Sequence, residues 1–266
     1  MAADAHRRRV QITERDRELL EFIAEQRLVL ASHVQTLLRI SQPAAYARLR
    51  ALCDAGLLVR EQRLHRQPSC YLVTRSGLAA TGSELPAPRL DLRSYDHDVG
   101  LAWLALLARS GTFGPMREII CERHLRSRDA RAERDQQPLA VRLGGHGAGG
   151  RERLHYPDLL LVDPAGRRIA VELELTAKGR RRREQILRGY AADRRVDVVL
   201  YLVRDRVLAR SLAASARRLG ISERVHVQRV RFEGAVKPGS RGLVAERARS
   251  ATRTRGDERA GAAVGR

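Results

Sequence analysis

The chain has 266 residues, of which 43% are hydrophobic and only 4% aromatic, so it has room for one large or two small domains with an aliphatic core. Its formal net charge of +20 favours a polyanionic partner such as nucleic acid. Three widely separated cysteines fit neither a zinc cluster nor a disulfide framework, and no apolar run has the length of a membrane span or the form of a signal peptide. These features predict a cytoplasmic protein with no membrane partner.

Arginine supplies nearly all of the basic charge, because lysine occurs only at Lys178 and Lys237. A bias of that kind scatters arginine over a whole surface, so local clusters are better evidence than the total. Residues 1–38 contain six arginines and six acidic residues, whereas residues 39–75 contain seven arginines and two acidic residues. The positive charge therefore concentrates after residue 38, while residues 1–9 form a short basic arm.

The first predicted domain, residues 10–85, contains three helices and two strands. Thr13 begins a capping signature for a helix to about Gln26, and a second helix runs from Ser32 to about Leu38. Ser41 caps a third helix that ends at Gly56, and the strands "LLVREQ" and "CYLVTR" flank "RLHRQPS". This order, and the segment "SQPAAYARLRALCDAGLLVR" above all, resembles a winged helix-turn-helix of bacterial regulators.

The resemblance implies contacts with double-stranded DNA. The third helix would lie in the major groove, and the wing would meet phosphates or the minor groove. A winged helix that serves only in dimerisation is the alternative, since a fold does not fix a function. The implied contacts to base edges are Ser41, Gln42, Ala44, Tyr46 and Arg48, and the implied contacts to the backbone are Arg50, Arg63, His65 and Arg66.

A proline-punctuated linker, residues 86–95, precedes the second predicted domain, residues 96–233. That domain has the predicted order α-β-β-β-α-β-α-β, so the chain as a whole belongs to the mixed α+β or α/β class. Residues 127–152 are polar and glycine-rich and are predicted to be a loop insertion. Residues 234–266 lack apolar periodicity and are predicted to be a disordered basic tail.

The stretch "VELELTAK" places two carboxylates, Glu172 and Glu174, on one face of a strand. Asp163 to Gly166 joins this strand to the preceding one. If Gly166 is the bulge residue of a three-residue hairpin, Asp158 lies directly opposite Glu172. A two-residue loop would instead put Asp158 and Glu172 on opposite faces. The bulged hairpin therefore predicts an acidic pocket.

Like charges opposite one another need a compensator. A hard divalent cation, raised pKa values or nearby arginines would each serve. The arginines at Arg180, Arg181 and Arg182 follow the hairpin and could either neutralise the pocket or contact a DNA backbone. Mg²⁺ held by carboxylates would suit phosphodiester hydrolysis. A solvated strand face is the plainer alternative.

"YPDLLLV" and "VELEL" resemble the two motifs of the PD-(D/E)xK nuclease superfamily, which includes restriction endonucleases. The resemblance implies that Asp158 and Glu172 bind the metal, with Mg²⁺ as the cofactor. Glu174 stands where the superfamily has lysine, and Lys178 could reach back to the site. The implied catalytic residues are Asp158, Glu172, Glu174 and Lys178. "QILRGY", with Gln185 and Tyr190, approaches a further Q-x-x-x-Y feature but is one residue too long.

The whole arrangement resembles the replication-relaxation family of actinobacterial plasmids and mobile elements. The matching residues are His97, Asp98, Pro157, Asp158, Val171 and Glu172. This resemblance implies a nucleoid- or plasmid-associated DNA-binding protein with a nuclease-like accessory domain, and a relaxase or replication protein as partner. A metal-dependent DNA endonuclease or nickase and a transcriptional repressor remain alternatives, and a homodimer stays open.

Overall fold

The computed structural model describes residues 11–62, 67–133, 136–176, 179–232 and 243–245. Over these ranges the protein is a mixed α and β structure, as predicted. No described helix is both long and apolar enough to cross a membrane. The N-terminal elements are α1 (Glu14–Glu25), β1 (Val29–Leu30), α2 (Ala31–Leu38), α3 (Gln42–Asp54), β2 (Leu58–Glu61), β3 (Cys70–Val73) and α4 (Arg75–Ala80).

The N-terminal elements begin and end at capping residues that the sequence supplies. Thr13 and Asp16 form a capping box at the start of α1. Ser41 accepts a hydrogen bond from the Ala44 amide at the start of α3. Strands β1, β3 and β2 form an antiparallel sheet in that spatial order. The short strand β1 and helix α4 are elements that the sequence interpretation did not include.

The C-terminal elements form a six-stranded mixed sheet with helices on both faces. Its order is β11-β10-β9-β8-β7-β4, with β8, β9 and β10 parallel and the other pairs antiparallel. The elements are α5 (Tyr95–Arg109), β4 (Glu118–Cys121), α6 (Glu122–Arg131), β5 (Val141–His146), a 3-10 helix (Ala148–Gly150), β6 (Glu152–His155), β7 (Leu159–Val162), β8 (Arg168–Glu174), α7 (Arg180–Ala192), β9 (Val198–Val203), α8 (Arg206–Arg218), β10 (Val225–Phe232) and β11 (Leu243–Ala245).

The β7–β8 hairpin has the predicted bulged turn. Gly166 has a left-handed φ of 83°, and its amide donates to the Asp163 carbonyl at 2.9 Å. The Asp163 amide in turn donates to the Arg167 carbonyl at 3.0 Å. The ladder then pairs Leu159 with Val171, and one further step along it places Asp158 opposite Glu172. The predicted register is therefore confirmed.

The segment 127–152 differs from the predicted loop. Helix α6 extends to Arg131, and β5 pairs with β6 in a separate two-stranded sheet. The Asp129 carboxylate binds the amides that lead into β5, and Val141 is buried. Gly189 of α7 lets the β5 backbone approach, because a Cβ there would lie 2.9 Å from the Arg142 carbonyl oxygen. The many glycines of this segment therefore accompany a hairpin.

One hydrophobic core cluster spans both predicted domains, and two further clusters lie within the second domain. Side chains of α1, α2 and β3 cluster with those of α5, β7 and β8. The Arg123 guanidinium of α6 is buried and donates to the main-chain carbonyls of Ala24, Gln26 and Pro86. Residues 86–95 run between the two parts, and of these only Tyr95 belongs to a helix or strand.

The predicted tail, residues 234–266, is described only at Leu243–Ala245. There the chain forms β11, which pairs with β10. The prediction of a tail without regular structure is therefore wrong for these three residues. The short segment adds an edge strand to the sheet through main-chain hydrogen bonds, which apolar periodicity does not report. The basic arm, residues 1–9, lies outside the described residues.

Candidate nucleic-acid interface and carboxylate site

Helix α3 presents an exposed face opposite its buried stripe. Ala45, Leu49 and Leu52 are fully buried, whereas Tyr46 is 42% exposed and Arg50 is exposed. Gln42, Tyr46 and Arg50 are spaced four residues apart, so their side chains lie on one side of the helix. Ser41 is exposed at its N-terminus. Three of the predicted DNA-contact residues, Gln42, Tyr46 and Arg50, therefore share one side of the helix, whereas Ala44 and Arg48 project away from it.

Arg48 points to the opposite side and is bound within the protein. Its guanidinium donates two hydrogen bonds to the Asp16 carboxylate, whose side chain is 2% exposed. Burial alone would raise the pKa of Asp16, but hydrogen bonds from Arg48 and Thr13 outweigh it and lower the pKa below 3.8. Arg48, which was predicted to contact DNA, therefore has an ion pair within the protein.

A groove beside α3 adds an arginine that the sequence interpretation missed. Tyr46 and Arg50 line it together with Arg60 of β2 and Tyr71 of β3. Arg60 is exposed and donates to the Ser69 hydroxyl at 3.0 Å. Its place on the strand that follows α3 was a usable signal, because the pairing of β2 and β3 brings it toward the helix. The predicted wing residues Arg63, His65 and Arg66 lie outside the described residues.

Asp158 lies at the start of β7, and its two carboxylate oxygens have different partners. Oδ2 accepts the Leu173 amide of β8 at 2.7 Å, and Oδ1 lies 3.2 Å from Nε2 of His97. The residue is only 8% exposed, whereas the His97 side chain at the start of α5 is 32% exposed. The Leu173 amide therefore holds the Asp158 carboxylate in place, and the partly exposed His97 ring lies between this carboxylate and the solvent.

Glu172 is buried and lies in a second histidine–carboxylate pair. Its Oε1 lies 2.6 Å from Nε2 of His155, at the end of β6, and also accepts the Tyr190 hydroxyl. Burial, and then the charge of Glu172, raise the pKa of Tyr190 well above its ordinary value, so the phenol keeps its proton and donates it to the hydrogen bond. Helix α7 thus supplies a buried donor to the acidic face.

Glu174 and Tyr201 complete this face of the sheet. Glu174 is 2% exposed and follows Glu172 on the same side of β8, and Tyr201 of β9 is the register partner of Glu172. The Tyr201 hydroxyl is buried and has no hydrogen-bond partner among the described residues. Burial and the nearby carboxylates raise its pKa well above the ordinary value. The Tyr201 hydroxyl can therefore still form a hydrogen bond with a further polar atom bound beside the carboxylates.

Arg27 connects the N-terminal part of the chain to this site. Its guanidinium lies 3.0 Å from a Glu122 oxygen and 3.7 Å from an Asp98 oxygen. Burial would lower the pKa of Arg27, but Glu122, Asp98 and Asp158 outweigh it and raise the pKa. An arginine that precedes β1 therefore supplies positive charge beside Asp158.

Helix α7 follows strand β8, and the four arginines at its start have different surroundings. Arg180 pairs with Glu184 at 3.0 Å, whereas Arg181 is exposed and Arg182 is half-buried. Arg183 is buried and donates to the Ser211 hydroxyl of α8 at 3.0 Å. Lys178, predicted to reach back to the site, lies outside the described residues.

The arrangement suits either cation binding or proton transfer. Carboxylate oxygens are the donors that Mg²⁺ prefers, and Asp158 and Glu172 lie opposite each other. Among the described residues, however, no group of three or more His, Cys, Asp or Glu side chains has the arrangement of a metal site. The two carboxylates contact imidazole rings, which are general acids and bases near neutral pH.

His97, His155 and Tyr190 belong to this site, although none of them was among the predicted catalytic or metal-binding residues. Each had a signal in the sequence: His97 begins a helix before an acidic residue, His155 precedes "YPD", and Tyr190 ends the motif "QILRGY". None of the three signals gives a distance, because each depends on how β6, α5 and α7 pack around the hairpin. Comparisons of the chain with protein-family models, curated proteins and solved structures found no significant match.

Proposed function

We propose that the chain is a double-stranded-DNA-binding protein that acts in the replication or relaxation of a plasmid or mobile element. The α3 surface formed by half-buried Gln42 and exposed Tyr46 and Arg50 supports this proposal most directly. An aromatic ring and a guanidinium on one helix face suit contacts with bases and phosphates. Residues 96–233 serve as a nuclease-like accessory, and a relaxase or replication protein is the partner class.

The order of elements supports the finer architecture that this function needs. Three helices followed by the β2–β3 pair suit a winged helix-turn-helix, in which α3 enters the major groove. The turn between α2 and α3 is only three residues long, with Arg39 in a left-handed conformation of φ 53°. The β7–β8 hairpin within a mixed sheet, flanked by α5 and α7, suits a restriction-endonuclease-like domain.

The test is binding of the full chain to duplex DNA, followed by fluorescence anisotropy over a range of salt concentrations. Arg50→Gln should weaken binding roughly ten-fold and reduce the salt slope by about 1, because one phosphate contact is lost. Tyr46→Ala should also weaken binding. The matched control is Arg75→Gln, an exposed arginine outside α3. Equal effects at positions 50 and 75 would contradict the proposal for α3.

A metal-dependent endonuclease is the second candidate, and the opposition of Asp158 and Glu172 favours it. Asp158 and Glu172 would hold Mg²⁺, and a bound divalent cation would supply charge neutralisation during attack on a phosphodiester. The protein's own contribution would be to fix both carboxylates through the Leu173 amide and the Tyr190 hydroxyl, and to place His97 and His155 as proton carriers.

Supercoiled plasmid incubated with Mg²⁺, Mn²⁺ or EDTA tests this candidate. Nicking should require the metal and disappear in Asp158→Asn and Glu172→Gln. Asp163→Asn is the matched control, because Asp163 lies in the same hairpin but binds the turn residue Arg167. Wild-type protein that binds DNA and never nicks it would reject the endonuclease and leave the DNA-binding proposal intact.

A further inference from the structure

Helices α7 and α8 form the most strongly basic layer of the described structure. Both pack on the same face of the large sheet, where their apolar side chains share a core cluster with Ala170, Val199 and Tyr201. Arg180–Ala192 contains five arginines and one acidic residue, Glu184. Residues 204–218 also contain five arginines and one acidic residue, Asp205.

The two acidic residues leave most of these arginines without a partner. Glu184 binds both Arg180 and Arg218, and Asp205 accepts two main-chain amides at the start of α8. Arg183 is buried against Ser211. Among the described residues, the structure gives no ion pair to the seven arginines that remain, all exposed except the half-buried Arg182: Arg181, Arg182, Arg188, Arg204, Arg206, Arg210 and Arg217.

Helical periodicity arranges these side chains in rows. Arg206, Arg210 and Arg217 differ by four and seven residues, so they project within about 40° of one another along roughly 17 Å of α8. Arg181 and Arg188 are seven residues apart and project within about 20° of one another on α7. Between Arg210 and Arg217 the α8 surface has the small side chains of Ala213 and Ala214, so a long polymer can approach the helix closely there.

We propose that the outward faces of α7 and α8 bind the phosphate backbone of a nucleic acid, as a second surface in addition to α3. Rows of guanidinium groups suit phosphates repeated along a strand. The α8 row has no amide or aromatic side chain to contact bases, whereas α3 has Gln42 and Tyr46. The second surface therefore binds independently of sequence, and it does not depend on the function proposed for α3.

The position of this surface connects it to the carboxylate site. Helix α7 follows the carboxyl end of β8, where Glu174 lies, and α8 follows the carboxyl end of the neighbouring parallel strand β9. The first residues of both helices thus lie at the same edge of the sheet as Glu174. A backbone held by Arg181 and Arg206 passes along the edge that bears the acidic pocket.

The test compares two triple variants of the full chain that lose the same charge. Arg206→Gln, Arg210→Gln and Arg217→Gln remove the α8 row. Arg93→Gln, Arg117→Gln and Arg128→Gln, all exposed, are the matched control: Arg93 precedes α5, Arg117 precedes β4, and Arg128 lies on α6. Binding to two duplexes of unrelated sequence is measured by anisotropy from 50 to 300 mM salt, and melting temperatures check the fold.

The row variant should lose roughly ten-fold or more in affinity for both duplexes, and its salt slope should fall by about 2 to 3, as expected for about 0.9 per lost phosphate contact. The control should change less than about two-fold. Equal losses in the two triple variants would overturn the proposal. The proposal would also be overturned if the row variant lost binding to vesicles containing anionic lipid while its DNA binding was unchanged. If Arg50→Gln weakens DNA binding and the row variant does not, the proposal is also overturned and α3 alone binds the DNA.

Discussion

The arginines at the junction between the two parts of the chain differ from those on α7 and α8. At the junction, Arg123 is buried and donates to three main-chain carbonyls, and Arg27 lies between Glu122 and Asp98. On α7 and α8, residues such as Arg188 and Arg210 are exposed and have no ion pair within the described ranges. One residue type thus serves as an internal brace in one region and as surface charge in the other.

This difference shows how far net charge can be used to infer function. The guanidinium is planar, keeps its charge and offers five donors, so it suits buried carbonyls and phosphates equally well. The total of +20 counts both uses. The two uses can be distinguished only by the groups that each arginine contacts in the folded protein. Substitution should distinguish them as well: loss of a junction arginine should lower stability, and loss of an arginine on α7 or α8 should weaken binding.

The largest expected effect is on stability, at Arg123. Arg123→Met would leave three buried carbonyl groups without their donor and should lower the free energy of unfolding by about 3–5 kcal/mol, as for other buried charged networks. Urea unfolding measures this change. Arg128→Met on the same helix is exposed and should change it by less than about 0.5 kcal/mol. Equal values would mean that Arg123 is not a brace.

The sequence predicted the parts of the fold that depend on local rules. The capping residues Thr13 and Ser41 and the Asp163–Gly166 turn each follow from neighbours in sequence, and all three are confirmed. The turn in turn fixed the opposition of Asp158 and Glu172. The register of a hairpin is set by its loop, so it can be predicted without tertiary information.

Local sequence rules did not predict the contacts between segments that are distant in the chain. No pattern in the sequence of α3 indicates that the Arg48 side chain reaches Asp16, which lies 32 residues earlier in the chain. The hairpin β5–β6 was predicted to be a loop because its segment is rich in glycine and polar residues. Its strands pair with each other and pack against α7, which the local sequence does not indicate. His155 and Tyr190 reach Glu172 from two different elements.

Arg48 should behave as a junction arginine even though it lies on α3. Arg48→Met leaves the buried Asp16 without its cation and should destabilise by about 3 kcal/mol at neutral pH. Because the folded pKa of Asp16 is lowered, its contribution is present above pH 3.8 and is lost as the pH falls through the folded value. The stability of the variant should therefore fall less steeply in acid than that of the wild type.

Arg50→Met is the matched control, since it lies two residues away and is exposed. It should leave stability within about 0.5 kcal/mol and weaken DNA binding. The comparison fails if position 50 proves destabilising, or if Arg48→Met reduces DNA affinity with no loss of stability, since Arg48 would then be a surface contact.

The smallest expected effect concerns His33. Burial keeps this histidine neutral, whereas the arginines of the junction keep their charge. His33 of α2 is fully buried, its Nδ1 accepts the Leu30 amide at 2.9 Å, and its ring lies edge-on to Trp103 of α5. Burial lowers the pKa of His33 to about 3 from 6.5. Below pH 6.5 the unfolded chain therefore takes up a proton that the folded protein does not, so acid favours unfolding.

The free energy of unfolding should fall by about 2 kcal/mol between pH 6.5 and pH 5 through this group, at 1.36 kcal/mol for each pKa unit. His33→Asn keeps an acceptor for the Leu30 amide and should remove that part of the slope, even if the variant is less stable at pH 7. His226→Asn, at an exposed histidine, should leave the slope unchanged. Urea unfolding at four pH values measures all three proteins. A slope that persists in His33→Asn would show that another titrating group produces it.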